Sequence, residues 1–158
     1  MKKIHVGYFR NLIFGAEDSL VSTVGVLFGV ASTGEYSARQ VIITGLIVIA
    51  VEALSMGAGS FLTEESLQEL DGEKIHKDKP YIEGLIMFLS YVIAGFIVLS
   101  PYLFTKVEIA KFASVIFALL SLYLVGYLPR RNYKSGLRML TIAGLAILVG
   151  FIIGEALG

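Results

Sequence analysis

Residues 11–32 read NLIFGAEDSLVSTVGVLFGVAS, an apolar run of bilayer length with Glu17 and Asp18 inside it. As a helix it covers roughly 30 Å, so both carboxyls lie within the membrane or close to its boundary. An Asp at the centre of a spanning helix costs about 2.5–3.5 kcal/mol, and such acids usually face a bundle interior or a water path. Asp18 is therefore the first candidate for a group that handles protons or cations. Gly15, Asp18, Ser22, Gly25 and Gly29 recur at alternating spacings of three and four, which lines one acid up with small residues on a single face. Such a stripe lets another backbone come close. The competing reading of Asp18 is a carboxyl that only hydrogen-bonds a neighbouring helix.

Outward from this stretch, further apolar segments fall at about 40–62, 82–104, 108–128 and 137–157, each near the ~20 residues a spanning helix needs. With 11–32 they make five spans, and the chain reads as an all-α integral membrane protein with five transmembrane helices. The connections STGEYSARQ, TEESLQELDGEKIHKDKP, TKVE and LPRRNYKSG are too short for a second domain, so residues 1–158 form a single transmembrane domain with an acidic loop over about 63–80. Tyr8, Tyr36, Tyr81, Tyr102, Tyr127 and Tyr133 fall near the span ends, where an amphipathic ring prefers the headgroup level. The N-terminus has basic residues but no short apolar core with a small-residue cleavage site, which argues against a removable signal peptide.

Composition narrows the function. Of the 158 side chains 56% are hydrophobic, and 13 basic residues balance 13 acidic ones, leaving no basic surface for nucleic acid. The chain has no cysteine, which removes thiolate nucleophiles, zinc knuckles and iron–sulfur sites. An enzyme is disfavoured: His5 and His76 lie outside the spans, and the Tyr-Asp and Gly-x-Gly-Asp patterns of intramembrane aspartyl proteases are missing. With the N-terminus in the cytoplasm, ten Lys and Arg fall on that side and only Arg39, Lys106 and Lys111 on the other. Positive charge stays inside, which sets the N-terminus cytoplasmic and the C-terminus outside, in the cell membrane. Five spans give no duplication into equal halves, and pairing with a second copy is one way to enclose a path.

The second span carries Glu52 in mid-run, and Glu52, Met56, Gly59 and Thr63 repeat the spacing of four, three and four. If the two polar stripes face each other, Asp18, Glu52 and Met56 surround one void with oxygen and soft sulfur, a set suited to a divalent transition metal. A Met in a span is more often packing, but a lone Glu there is hard to bury without a proton or a partner. Protons and cations then compete for Asp18 and Glu52, so a gradient of one can drive the other.

The runs FGAEDSLVSTVGVLFGVA, EALSMGAGSFLTEES, LSYVIAGFIVLSPYLF and GLRMLTIAGLAILVGFIIG resemble the vacuolar iron transporter family over nearly the whole chain. The resemblance implies a homodimer in the lipid bilayer that moves Fe²⁺, and other divalent metals such as Mn²⁺, out of the cytosol in exchange for protons. It implies no bound cofactor besides the transported ion, and it makes Asp18 and Met56 the acid and thioether of the path. The chain departs from the family pattern twice. Asp18-Ser19 stands where Asp-Gly is usual, and the long cytosolic helical domain between spans two and three is reduced to Thr63–Pro80.

Within that connection Glu65, Glu69 and Glu73 follow a helical spacing. They read either as a cytosolic vestibule that collects metal or as a solvated face paired with Lys74 and Lys77. Glu83 opens the third span and reads as a side chain that snorkels to headgroup water. Gly150 and Gly154 form a GxxxG pattern that can bring two helices together. The function expected is proton-coupled export of divalent metal. The alternative is a membrane assembly or regulatory protein whose polar stripes only glue helices.

Overall fold

The computed structural model describes residues 6–71, 79–129 and 131–157. They form α1 (Val6–Ser32), α2 (Ala38–Asp71), α3 (Pro80–Phe104), α4 (Val107–Tyr127) and α5 (Tyr133–Leu157), and among the described residues there is no strand. All five helices are long and apolar enough to cross a membrane, as the hydropathy pattern predicts.

Local chemistry sets the turns. Gly34 takes a left-handed φ of 75° just past α1, a conformation that costs a residue without Cβ little. Ser37 and Gln40 then form a reciprocal cap on α2: the Ser37 N–H donates to Gln40 Oε1 at 2.9 Å and the Gln40 N–H to Ser37 Oγ at 3.4 Å. Pro80 starts α3, where its missing N–H has no intrahelical role, and Asn132 Oδ1 accepts the Lys134 N–H at 3.0 Å at the head of α5.

Helix α1 is the centre, packed against each of the other four helices. Helix α2 lies against α1 and α3, while α5 lies against α1 and α4. Leu20, Val24 and Leu27 of α1 join Val98 and Leu99 of α3 in the core. Ala110, Ser114, Ala118 and Leu122, spaced by four, give α4 one narrow buried stripe, and the Ser114 hydroxyl donates to the Val98 carbonyl at 2.9 Å. Ile43, Ile47, Val51 and Leu54 of α2 are exposed, as suits a surface whose solvent is lipid.

The small-residue stripe of α1 serves several neighbours. Gly25 and Gly29 meet Ala146, Gly150 and Gly154 of α5, so the GxxxG of the last span pairs with a GxxxG in the first. A β-carbon on Gly29 would lie 2.7 Å from the Gly150 carbonyl oxygen, and one on Gly150 would strike the Gly25 carbonyl. Gly57 and Gly84 give α2 and α3 a similar contact, 2.7 Å from a β-carbon at Gly84 to the Gly57 oxygen.

Four expectations change. Helix α1 begins at Val6, ahead of the apolar run. Helix α2 continues to Asp71, so the first half of the acidic stretch read as a loop is helical. Its 34 residues extend about 50 Å, well beyond the hydrocarbon core, and a charged helix end in water keeps its backbone bonds without an apolar face. Tyr102 is a core residue, 2% exposed, and not an interfacial ring. Glu83 is buried as well, for reasons given below.

If the α1–α5 contact depends on missing side chains, Gly150→Ala lowers stability by about 1–3 kcal/mol through overpacking. Gly144→Ala, where a β-carbon meets nothing within 4 Å, does not. Thermal unfolding of the two variants in one detergent compares them directly.

Candidate ion-handling site

Midway along the bundle, three helices meet at Glu52. The Ser22 hydroxyl of α1 donates to Glu52 Oε2 at 2.9 Å, and the Tyr91 hydroxyl of α3 donates to the same oxygen. The Ser22 and Tyr91 oxygens lie 2.6 Å apart. Tyr91 is fully buried, and the Ser19 hydroxyl donates to its carbonyl at 2.7 Å, which ties α3 to α1 a second time. Asp18, one turn before Ser22 on α1, lies within electrostatic reach of Glu52 on α2. Both are only partly buried.

Met56 takes a different position from the one its spacing suggested. Four residues turn a helix about 40° past a full circle, and the hydroxyls draw Glu52 toward α1 and α3. Met56 instead lines a cavity of about 800 Å³ together with Glu17, and neither Asp18 nor Glu52 is among the lining residues. Met87 and Met139 also line it, with Ser55, Ser60 and Thr63 adding hydroxyls. Glu17 is thus the acid that shares a void with sulfur. Among the described residues no group of three or more His, Asp or Glu is placed to hold a metal ion.

Glu83, whose partners Arg10 and Asn11 line this cavity, does not snorkel. It is 1% exposed, accepts the Asn11 side-chain amide at 2.7 Å and pairs with Arg10 at 3.3 Å. The Arg10 side chain is 62% exposed, so the cation stays in water while the carboxylate is held inside. Glu83 also occupies the first turn of α3, where the helix dipole favours an anion. Glu65 and Glu69 are exposed on the outer part of α2, and the buried acid of that stretch is Glu64. Glu73, Lys74, Lys77, His5 and His76 lie outside the described residues.

Tyr91 is the residue that reading the sequence missed. The available signal was its depth: the tyrosines used to mark span ends fall near the ends of the apolar runs, whereas Tyr91 falls mid-span beside Ser90. A phenol there needs a polar partner.

Removing the Asn11 amide leaves Glu83 with one fewer charge-assisted hydrogen bond, so Asn11→Leu costs about 1.5–3 kcal/mol of stability. Thermal unfolding in detergent measures it, and Asn11→Asp, which places like charges together, costs more.

The profile of the VIT family matches residues 9–77 and 67–155, and the two matches meet at the connection between α2 and α3. "Vacuolar iron transporter homolog 1" of Arabidopsis thaliana is 24% identical over 168 residues, covering 96% of this chain and 84% of that protein. "Vacuolar iron transporter homolog 3" of the same plant is 25% identical over 161 residues, covering 91% of this chain and 80% of that protein. With the family profile spanning all five helices, the chain belongs to the VIT family.

Proposed function

We propose that this protein carries divalent metal ions, Fe²⁺ first and Mn²⁺ as a second cargo, out of the cytosol across the cell membrane in exchange for protons. The observation that carries the reading is Glu52, a carboxyl in the middle of a spanning helix that hydroxyls of two other helices hold, with Asp18 one turn before Ser22, in a bundle where isolated carboxyls are expensive. Relatives named as vacuolar iron transporter homologues add support for iron.

The path on this reading runs from the cavity lined by Glu17 and Met56 to the Asp18–Glu52 pair. The excess of Lys and Arg at the α2–α3 and α4–α5 connections supports a cytosolic N-terminus and, with it, a cavity that opens toward the cytosol. Glu65 and Glu69, on the projecting part of α2, concentrate cations ahead of it. Two or three oxygen donors and a thioether are few ligands for a divalent ion, so a second copy of the chain completes the set as a homodimer.

The cycle is a competition for charge. Each carboxyl is neutralised by a proton when empty and by metal when loaded, so neither half-cycle moves an uncompensated anion through the bilayer. Asp18→Asn keeps the size of the side chain and removes its charge, and abolishes metal flux in liposomes while the protein remains folded. Flux equal to the parent's would make Asp18 structural. Glu52→Gln mimics the protonated form permanently and ends proton counter-movement, read by a pH-sensitive dye inside the same liposomes. Metal movement in the parent with no opposing proton movement would replace exchange with a channel-like path.

A further inference from the structure

The two oxygens of Glu52 are not equivalent. Oε2 accepts from both Ser22 and Tyr91, whereas among the described residues no hydrogen bond reaches Oε1. A carboxylate offers about four lone-pair sites, two on each oxygen. The two hydroxyls, within hydrogen-bond distance of each other as well, cluster on Oε2, so an approaching cation finds Oε1 ready and Oε2 taken. Asp18, on α1, is the ionisable neighbour on this side, and Tyr91 is the one contributed by α3.

The phenol is held firmly in place. The Tyr91 ring has no exposed surface, and its carbonyl accepts from Ser19 Oγ at 2.7 Å. One turn further along α3, a β-carbon on Gly95 would lie 2.6 Å from Ile49 of α2 and 3.0 Å from Ser19 Oγ. Three helices are thus wedged together beside the ring, and the hydroxyl is pre-aimed at Oε2 with little freedom to leave it.

We infer that Tyr91 is a positioning residue for the transported ion: with Ser22 it restricts Glu52 to contact through one oxygen. A carboxylate that chelates with both oxygens holds a divalent ion harder, and a path needs sites that bind strongly enough to load and weakly enough to release. Tyr91 sets that balance by competing with the metal for Oε2. The inference rests on the reading of Glu52 as part of the path.

The test uses Mn²⁺ as the probe, with bound ion followed by electron paramagnetic resonance on the purified protein and initial flux followed in liposomes. Tyr91→Phe keeps the ring and removes the competing hydroxyl. It lowers both Kd and KM for Mn²⁺ by about tenfold, the size of effect expected for one hydrogen bond to a charged group, and lowers kcat because release slows. Ser22→Ala shifts Kd and KM the same way by a smaller factor, and decides the matter if Tyr91→Phe does not fold. In a Glu52→Gln background the effect of Tyr91→Phe on KM disappears. A packing role alone lowers the melting temperature and leaves Kd and KM at the parent's values, and that result, or a raised Kd, overturns the inference. If Glu52→Gln binds and moves Mn²⁺ like the parent, the reading of Glu52 falls and the inference with it. If Glu52→Gln loses binding while Tyr91→Phe behaves as the parent does, only the inference falls.

Discussion

A carboxyl inside a bilayer has no bulk water to meet it, and Glu52 is met instead by hydroxyls from two other helices. Hydrogen bonds between spanning helices are worth about 0.6–2 kcal/mol each, because alternative partners exist in the unfolded reference state. Their value here lies in register. Helix α2 packs on α1 and α3, and Glu52 reaches both at one level, so sliding α2 by a turn leaves the carboxyl facing hydrocarbon. The positions of Met56, Gly57 and the projecting acids of α2 all follow from that one attachment.

Close packing and open space alternate around α1 for a reason that lies in side-chain size. Lipid tails are as apolar as Leu, so helices in a membrane associate where backbones can approach. Glycines on both sides give α1 that approach to α5, and Gly57 with Gly84 gives it to α2 and α3. Near the α1 N-terminus the larger side chains Phe9, Phe14, Met87 and Met139 line the cavity.

Much of this was legible in the sequence. Bilayer thickness fixes span length, and hydropathy alone therefore locates all five helices. The outer part of α2 escaped because TEESLQEL is charged and reads by hydropathy as a connection, although it has no helix breaker before Gly72. Glu83 escaped because an acid near a span end has the same pattern whether it snorkels or is paired. Its partners Arg10 and Asn11 are more than 70 residues away, beyond any local signal. The Gly150 and Gly154 pattern announced a close contact without saying with which helix, since every stripe of small residues is complementary to every other. Asp18 and Glu52 stand out in the sequence because unpaired intramembrane acids are costly, whereas the phenol beside Glu52 shows only as a tyrosine at mid-span depth, with no local signal for the helices that supply its partners.

The unbroken length of α2 has a mechanical consequence. It comes close to α3 at Gly57 and Gly84, where neither residue has a side chain to keep the backbones apart and a rigid helix finds a natural fulcrum. From Gly57 it is about 8 Å along the axis to Glu52 and about 21 Å to the Asp71 end. The two arms of this lever differ by nearly threefold. A tilt that shifts Glu52 by about 1 Å swings the far end by nearly 3 Å in the opposite sense. Whatever binds the far end of α2 therefore has leverage over the hydroxyl contacts in mid-membrane, and the effort it needs is reduced in the same ratio.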